Sequence, residues 1–296
     1  MSKTMIITDT CSDLPASLVD CYDVEILSTT FNIDDKFFNE GIDFTCENFY
    51  EILPAPKGKI KSVSIPAAIY LDRFKNAQAC GFDSVIVIMT GSVAFPMHRT
   101  AEEAIELYKT QNPTSDLRIE IVDTKCFSMC AGLVVIEAAK LAQEGTDVDE
   151  ILTQINHSCS QMTMLVDAFN IPLSFIDSSR PWKKYIQFTG SYHPFPTLRI
   201  NSEKAVELPI IKGDHSAFDQ FYAYCIESLR DTKPDYAIGY ASRKKEARAL
   251  AMLLEEELGY APVTLYKLGA ISAYGASKAA ITLCFKAPGI EEQLRK

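Results

Sequence analysis

From residue 3 to about residue 165, short β-branched runs alternate with longer stretches of helical period, and this alternation constrains the fold more than any other feature of the chain. A helix between two strands carries the chain back across the sheet, so successive strands lie parallel and the helices cover the faces. Met5-Ile6-Ile7, Val85 to Met89 and Ile119 to Val122 are the strand candidates. Tyr70, Phe74 and Ala77 share one face of a helix between them, and Ala101, Ala104, Ile105 and Tyr108 share one face of the next. Ser128 is placed to cap a helix that runs through Val134, Val135, Ala138 and Leu141 and stops at Gly145.

The second half has a different rhythm. A strand at Met162–Val166 leads into Phe169 to Leu198, a stretch holding Phe175, Trp182, Tyr185, Phe188, Tyr192 and Phe195, and such aromatic density needs a large apolar partner surface. Leu198-Arg199-Ile200, a turn at Asn201-Ser202 and Val206 to Ile211 predict a hairpin. A helix over Ala217–Leu229, a strand over Asp235–Ala241, a helix over Lys244–Leu258 and a strand over Val263–Tyr266 follow. The 296 residues suffice for two cores. The expected architecture is α/β in two domains: a parallel-sheet βαβ domain over residues 1–163 and an α/β domain with a mixed sheet over 164–296.

Composition removes several classes of function. With 39 acidic residues against 29 basic ones, the net charge of −10 supplies no field to attract nucleic acid. The densest basic run, Arg243-Lys244-Lys245, opens an amphipathic helix and is expected to be a solvated face. No apolar run reaches the 18 or so residues of a membrane span, and the first ten residues enter a polar turn rather than a leader segment, so a cytoplasmic protein outside the membrane is expected. Nine scattered Cys do not form a secreted disulfide framework. His98, His157, His193 and His215 lack metal-ligand spacing, and no nucleotide-binding glycine motif or nucleophile elbow is present, so neither a metal nor a cofactor is expected.

Each parallel strand runs into small hydroxyl residues: Thr8-Asp9-Thr10-Cys11-Ser12-Asp13, then Thr90-Gly91-Ser92, then Asp123-Thr124-Lys125. Strand carboxyl ends border the ligand crevice of an open α/β sheet, and hydroxyls gathered there suit an oxyanion such as a carboxylate or phosphate. The same residues also serve as ordinary turn and cap residues. Asp9 and Asp123 have both roles open to them, and Cys11 or Ser12 would be the nucleophile of an enzyme if a base lay within reach.

Three segments resemble the DegV family of bacterial lipid-binding proteins. Ile7-Thr8-Asp9-Thr10-Cys11-Ser12-Asp13-Leu14 is similar to the family's I-T-D-S-x-x-D-L opening. Glu40-Gly41-Ile42-Asp43 with Glu47-Asn48-Phe49-Tyr50 resembles its D-G-x-D…E-x-F-Y segment, and Val122-Asp123-Thr124-Lys125 with Ser128-Met129 and Gly132 resembles I-D-S-K…S-M…G. The resemblance implies a carrier, not an enzyme, that holds a long-chain fatty acid in a tunnel between its domains. In some bacteria such carriers present the acyl carboxylate to a separate kinase subunit, which is the partner implied here.

Carried over position by position, the resemblance names Ser62, Thr90, Ser92 and Arg180 as ligand-binding residues. Ser62 stands for the carboxylate-contacting threonine of T-S-x-P-S, and Arg180 is what remains of G-G-R in Ser178-Ser179-Arg180. The S-S-G-x-S-G-T motif is reduced to Thr90-Gly91-Ser92 followed by Val93-Ala94-Phe95-Pro96, and no His follows position 215 where the family has H-x-G-P-G. Tyr274 is the replacement donor expected in that segment. The aromatics of 169–198 are either tunnel lining or ordinary core. These departures leave two further functions open: carriage of another amphipathic carboxylate, and small-molecule catalysis by a strand-end Cys or Ser.

Overall fold

A computed structural model describes residues 3–45, 48–49, 61–91, 97–167, 198–201, 204–207, 217–276 and 279–287; at 62, 198–201, 204–207, 217 and 274–275 it describes the backbone alone. Two compact units make up the chain, Met1–Ser160 and Gln161–Lys296.

The first unit is built on a parallel sheet. Strands β1 (Thr4–Asp9), β2 (Val24–Leu27), β6 (Ser84–Met89) and β7 (Arg118–Asp123) lie in the order β2-β1-β6-β7, every pair parallel. All six residues of β6 are buried, as expected of a parallel strand covered on both faces. Helix α1 (Ala16–Tyr22) packs with α4 (Met129–Gln143) beside β1, whereas α2 (Ala67–Ala79) packs with α3 (His98–Gln111) beside β6 and β7. The buried residues of α2 are Tyr70, Phe74 and Ala77, and those of α3 are Ala101, Ala104 and Tyr108. In α4, ten residues from Met129 to Ala139 are buried, which accounts for its near absence of polar residues. Helix α5 (Val148–Gln161) buries Val148, Ile151 and Ile155 on one stripe.

Between β2 and α2 the chain inserts a small antiparallel sheet that the helical periods did not announce. Strands β3 (Thr30–Ile33), β4 (Lys36–Asn39) and β5 (Lys61–Val63) lie in the order β4-β3-β5, with Phe31 opposite both Phe38 and Ser62. Phe31, Phe44 and Phe49 are each within 1% of full burial, and Phe44 lies 5.2 Å from Phe49 between ring centroids.

The second unit has a six-stranded mixed sheet in the order β10-β9-β8-β13-β11-β12. Its strands are β8 (Met162–Asp167), β9 (Leu198–Asn201), β10 (Lys204–Glu207), β11 (Tyr236–Tyr240), β12 (Thr264–Lys267) and β13 (Ile281–Lys286). Among the described strands of this sheet, only β11 and β12 pair in parallel. The hairpin is tighter than the sequence suggests: β10 starts at Lys204, and Ala205 faces Ile200. Strand β13 is not among the expected elements, yet Ile281-Thr282-Leu283-Cys284-Phe285 is buried and lies centrally between β8 and β11. Helices α6 (Ala217–Leu229) and α7 (Lys244–Leu258) bury Phe221, Cys225, Leu250 and Leu254 together with Ile238, Leu283 and Phe285 of the sheet. A short helix, α8 (Ala270–Ala276), precedes β13.

Gly239 of β11 is required by its neighbours across the sheet. The Tyr266 hydroxyl meets Thr282 Oγ1 at 3.3 Å, with Gly239 close beside both, and a Cβ at position 239 would lie 2.4 Å from Thr282 Oγ1 and 2.6 Å from the Tyr266 ring. Tyr266 is buried, so its ring has no room to retreat. Gly239→Ala is expected to destabilise the protein by about 2–3 kcal/mol through this overpacking, read as a lowered urea midpoint; an unchanged midpoint would mean that the sheet yields at this point.

Candidate functional site

In the first sheet the chain turns one way from β1 to β2 and the other way to β6, so the carboxyl ends of β1 and β6 flank the switch point where open α/β sheets bind ligands. Asp9, the last residue of β1, is 3% exposed and ties these two ends together. Thr90 donates to it twice, from its amide to Oδ2 and from its hydroxyl to Oδ1, each at 2.9 Å, and the Cys11 amide donates to Oδ1 at 2.9 Å. Burial nonetheless wins over these three donors and raises the Asp9 carboxyl above its usual range. Of the two roles open to Asp9 in the sequence, the structure therefore displays the capping one, extended across strands: it caps the turn Thr10–Ser12 and pins the turn after β6.

The turns around Asp9 are equally well engaged. Ser12 donates its hydroxyl to the Asp9 carbonyl at 2.8 Å, and the hydroxyls of Thr10 and Thr29 are hydrogen-bonded to each other at 2.6 Å. Thr29 also reaches Glu40 Oε2 at 3.5 Å. Asp13 takes a positive φ of 55° and accepts from Ser128. Ser128 stands at the N-cap of α4 as expected but makes no side-chain cap bond, because its hydroxyl is turned to Asp13. Its own φ of 53° belongs to the left-handed side, and the Asp13 bond helps hold it there. Behind these turns, Gly91 donates to the Cys126 carbonyl at 2.8 Å, and Thr124 donates its hydroxyl to the Met89 carbonyl at 2.8 Å. A Cβ on Gly91 would come within 3.0 Å of the Lys125 backbone, so glycine permits this close approach.

Cys11 is poorly suited to nucleophilic attack. It is 2% exposed, and burial together with the charges of Glu40 and Asp9 pushes its thiol far above the ordinary range, away from the reactive thiolate. The Ser12 hydroxyl points its proton at a backbone carbonyl. Among the described residues no cluster of His, Cys, Asp and Glu could hold a metal ion, and no helix is long and apolar enough to cross a membrane.

The residues singled out in the sequence fall as follows. Thr90 is at the switch point, 1% exposed, with its proton engaged by Asp9. Ser62 lies in β5 opposite Phe31, and Tyr274 lies in α8, each described by its backbone. Ser92, Arg180 and the aromatics of 169–197 lie outside the described residues. Arg243, read as part of a solvated basic face, is instead largely buried against Asp167 at 2.7 Å. No periodicity could have revealed that pair, since its members are 76 positions apart.

A parallel α/β unit with a hydroxyl-rich switch point, followed by a unit with a mixed sheet, defines a two-unit α/β class with a ligand-type rim. A family model described as "Uncharacterised protein, DegV family" matches residues 3–169. The chain belongs to the DegV family. A DegV domain-containing protein of Caldanaerobacter subterraneus subsp. tengcongensis is 30% identical over 155 residues, 52% of this chain and 52% of the relative. That match spans about half the length of the relative. One from Clostridium perfringens is 23% identical over 262 residues, covering 86% of this chain and 88% of the relative. Among solved structures, a stearic acid-binding protein from Eubacterium ventriosum superposes with a TM-score of 0.80 at 17% identity, over 97% of this chain and 98% of that one. DegV of Bacillus subtilis, described as a fatty acid binding protein, gives a TM-score of 0.76 at 15% identity, over 97% and 100%.

Proposed function

We propose that this protein binds a long-chain fatty acid and presents its carboxylate to a separate kinase subunit. The observation that carries this reading is the likeness, over 97% of the chain, to a protein that binds stearic acid, joined to membership of the same family as other fatty acid binders. Ser62, Ser92, Arg180 and Tyr274 are the proposed partners of the carboxylate. Thr90 belongs to the same proposed set by its place at the switch point, with its own proton engaged by Asp9. Burying about 14 methylenes at ~0.8 kcal/mol each gives roughly 11 kcal/mol of gross driving force before association costs. One head-group hydrogen bond is worth ~1–3 kcal/mol, so the altered motifs tune the carboxylate's position more than they set the affinity. Phosphoryl transfer depends on that position, and a kinase would supply the nucleotide-binding elements that this sequence does not encode.

Native mass spectrometry of the protein purified from cells, followed by denaturation and lipid extraction, tests the binding. One long-chain fatty acid per chain is expected. Empty protein that also refuses added palmitate overturns the reading, and recovery of a different amphipathic carboxylate would move the ligand class while keeping the carrier.

A further inference from the structure

Helix α7 carries one more stripe than the fold uses. Its buried residues Ala247, Leu250, Leu254 and Leu258 pack with the core of the second unit. On the opposite side Lys245, Ala249, Met252 and Glu256, all exposed, recur at intervals of four, three and four residues. That spacing keeps them in one straight row, the seam of paired helices. Met252 is 66% exposed and Leu253 beside it 39%, and among the described residues no other helix or strand exposes two large apolar side chains.

The charges on this helix run against its own dipole. Lys244, Lys245 and Arg248 stand in the N-terminal half, Glu255, Glu256 and Glu257 crowd the C-terminal end, and the last turn has no basic residue. A helix N-terminus favours carboxylates and a C-terminus favours cations, so only Glu246, in the first turn, follows the favourable order. Part of the cost is offset within the chain: Glu257 pairs with Arg230 at 2.8 Å, and Lys244 lies over the Tyr240 ring. Lys245, Arg248, Glu255 and Glu256 have no ion-pair partner among the described residues.

We propose that this face docks a second copy of the chain, with α7 laid antiparallel on the partner's α7 about a two-fold axis between Leu250 and Ala251. In that register Lys245 meets the partner's Glu256, Ala249 meets the partner's Met252, and Arg248 lies beside the partner's Glu255. The two-fold axis makes each contact occur twice. The small Ala249 leaves room for the methionine, whose flexible side chain adapts to the space. Each basic half comes to rest on the negative C-terminal end of the other helix, which reverses the unfavourable dipole order. Parallel pairing would set Lys245 on Lys245 and Glu256 on Glu256 and is opposed by repulsion. One helix pair about 22 Å long covers less than a standard protein interface, so the dimer is weak and reversible, with a Kd on the order of 100 μM. The proposal is independent of which ligand the protein binds.

Sedimentation equilibrium of the full chain between about 5 and 500 μM tests it, because mass action fills a weak dimer only at the upper end. A reversible monomer–dimer equilibrium that weakens with added salt is expected. Lys245→Glu alone and Glu256→Lys alone should each reduce association roughly tenfold or more, since like charges then face each other twice per dimer. The double variant should regain association, and an equimolar mixture of the two single variants should form mixed dimers although neither associates with itself. Both side chains are exposed, so the melting temperatures should not move, and recovery in the double variant separates a broken contact from a damaged fold. Unaltered protein that stays monomeric throughout overturns the proposal and leaves the face to a partner of another kind. A dimer that ignores the single reversals, or that the double reversal fails to restore, also overturns it, because a different face is then joined.

Discussion

Asp9→Ala is expected to lower stability by about 3–5 kcal/mol, because it strands two buried amides and one hydroxyl at ~1–3 kcal/mol each while relieving part of the cost of burying a carboxyl. The amides are those of Thr90 and Cys11, and the hydroxyl is that of Thr90. Hydrogen exchange should place the damage: amides at the ends of β1 and β6 lose protection while those of β11 and β13 keep theirs. Uniform loss through both units would mean that Asp9 is no local tie. Asp9→Asn separates charge from hydrogen bonding. The folded carboxyl is raised above its ordinary value of 3.8, so its contribution is present in full below that pH and is lost as the pH rises through the folded value. The margin of the unaltered protein over Asp9→Asn should therefore narrow from pH 4.5 toward neutrality. A margin that widens would contradict the direction of the shift.

Arg243→Met should cost a similar amount, about 3–5 kcal/mol, since it leaves a buried carboxylate without its cation. Asp167 is 2% exposed, and burial already raises its carboxyl although Arg243 pulls it down. Without the guanidinium the carboxyl rises further, so the loss should be greatest near neutral pH and shrink in acid, where Asp167 is neutral in both folded and unfolded chains. Arg243 also donates to the Ala279 carbonyl at 3.4 Å, which joins the end of β8 to the turn before β13. The double variant Arg243→Met with Asp167→Asn should recover much of the loss in a double-mutant cycle followed by urea unfolding. Strict additivity of the two changes would sink the idea that they act as one pair.

Legibility in the sequence followed the range of the interaction concerned. The helical stripe of Tyr70, Phe74 and Ala77 and the apolar run Val85 to Met89 are local patterns, and each became the element that its period predicts. The small sheet β4-β3-β5 escaped because its strands are three or four residues long, too short for a period to register. Strand β13 escaped for another reason: buried on both faces, Ile281 to Phe285 has no exposed polar face, and so short an apolar-rich run is hard to separate from a buried helix.

The site divides along the same line. That hydroxyl and acidic residues crowd the ends of parallel strands is written in Thr8 to Asp13, in Thr90 to Ser92 and in Asp123 to Lys125, and the motif order carries the family. Which of those hydroxyls still has a proton to give is absent from the sequence. Thr90 gives its proton to a carboxyl 81 positions away, Ser128 turns from its own helix to Asp13, and Arg243 leaves a basic run for Asp167. Burial removes water as the competing partner, so each polar group must bond to whatever the fold brings beside it. The sequence by itself determined the long helices and the apolar strands β1, β6 and β7, their parallel direction and the kind of residue at the rim, because these rest on local periods and residue chemistry. Only the tertiary structure decided which partner each rim group engages, because hydrogen-bond partners far apart in the chain are chosen by packing.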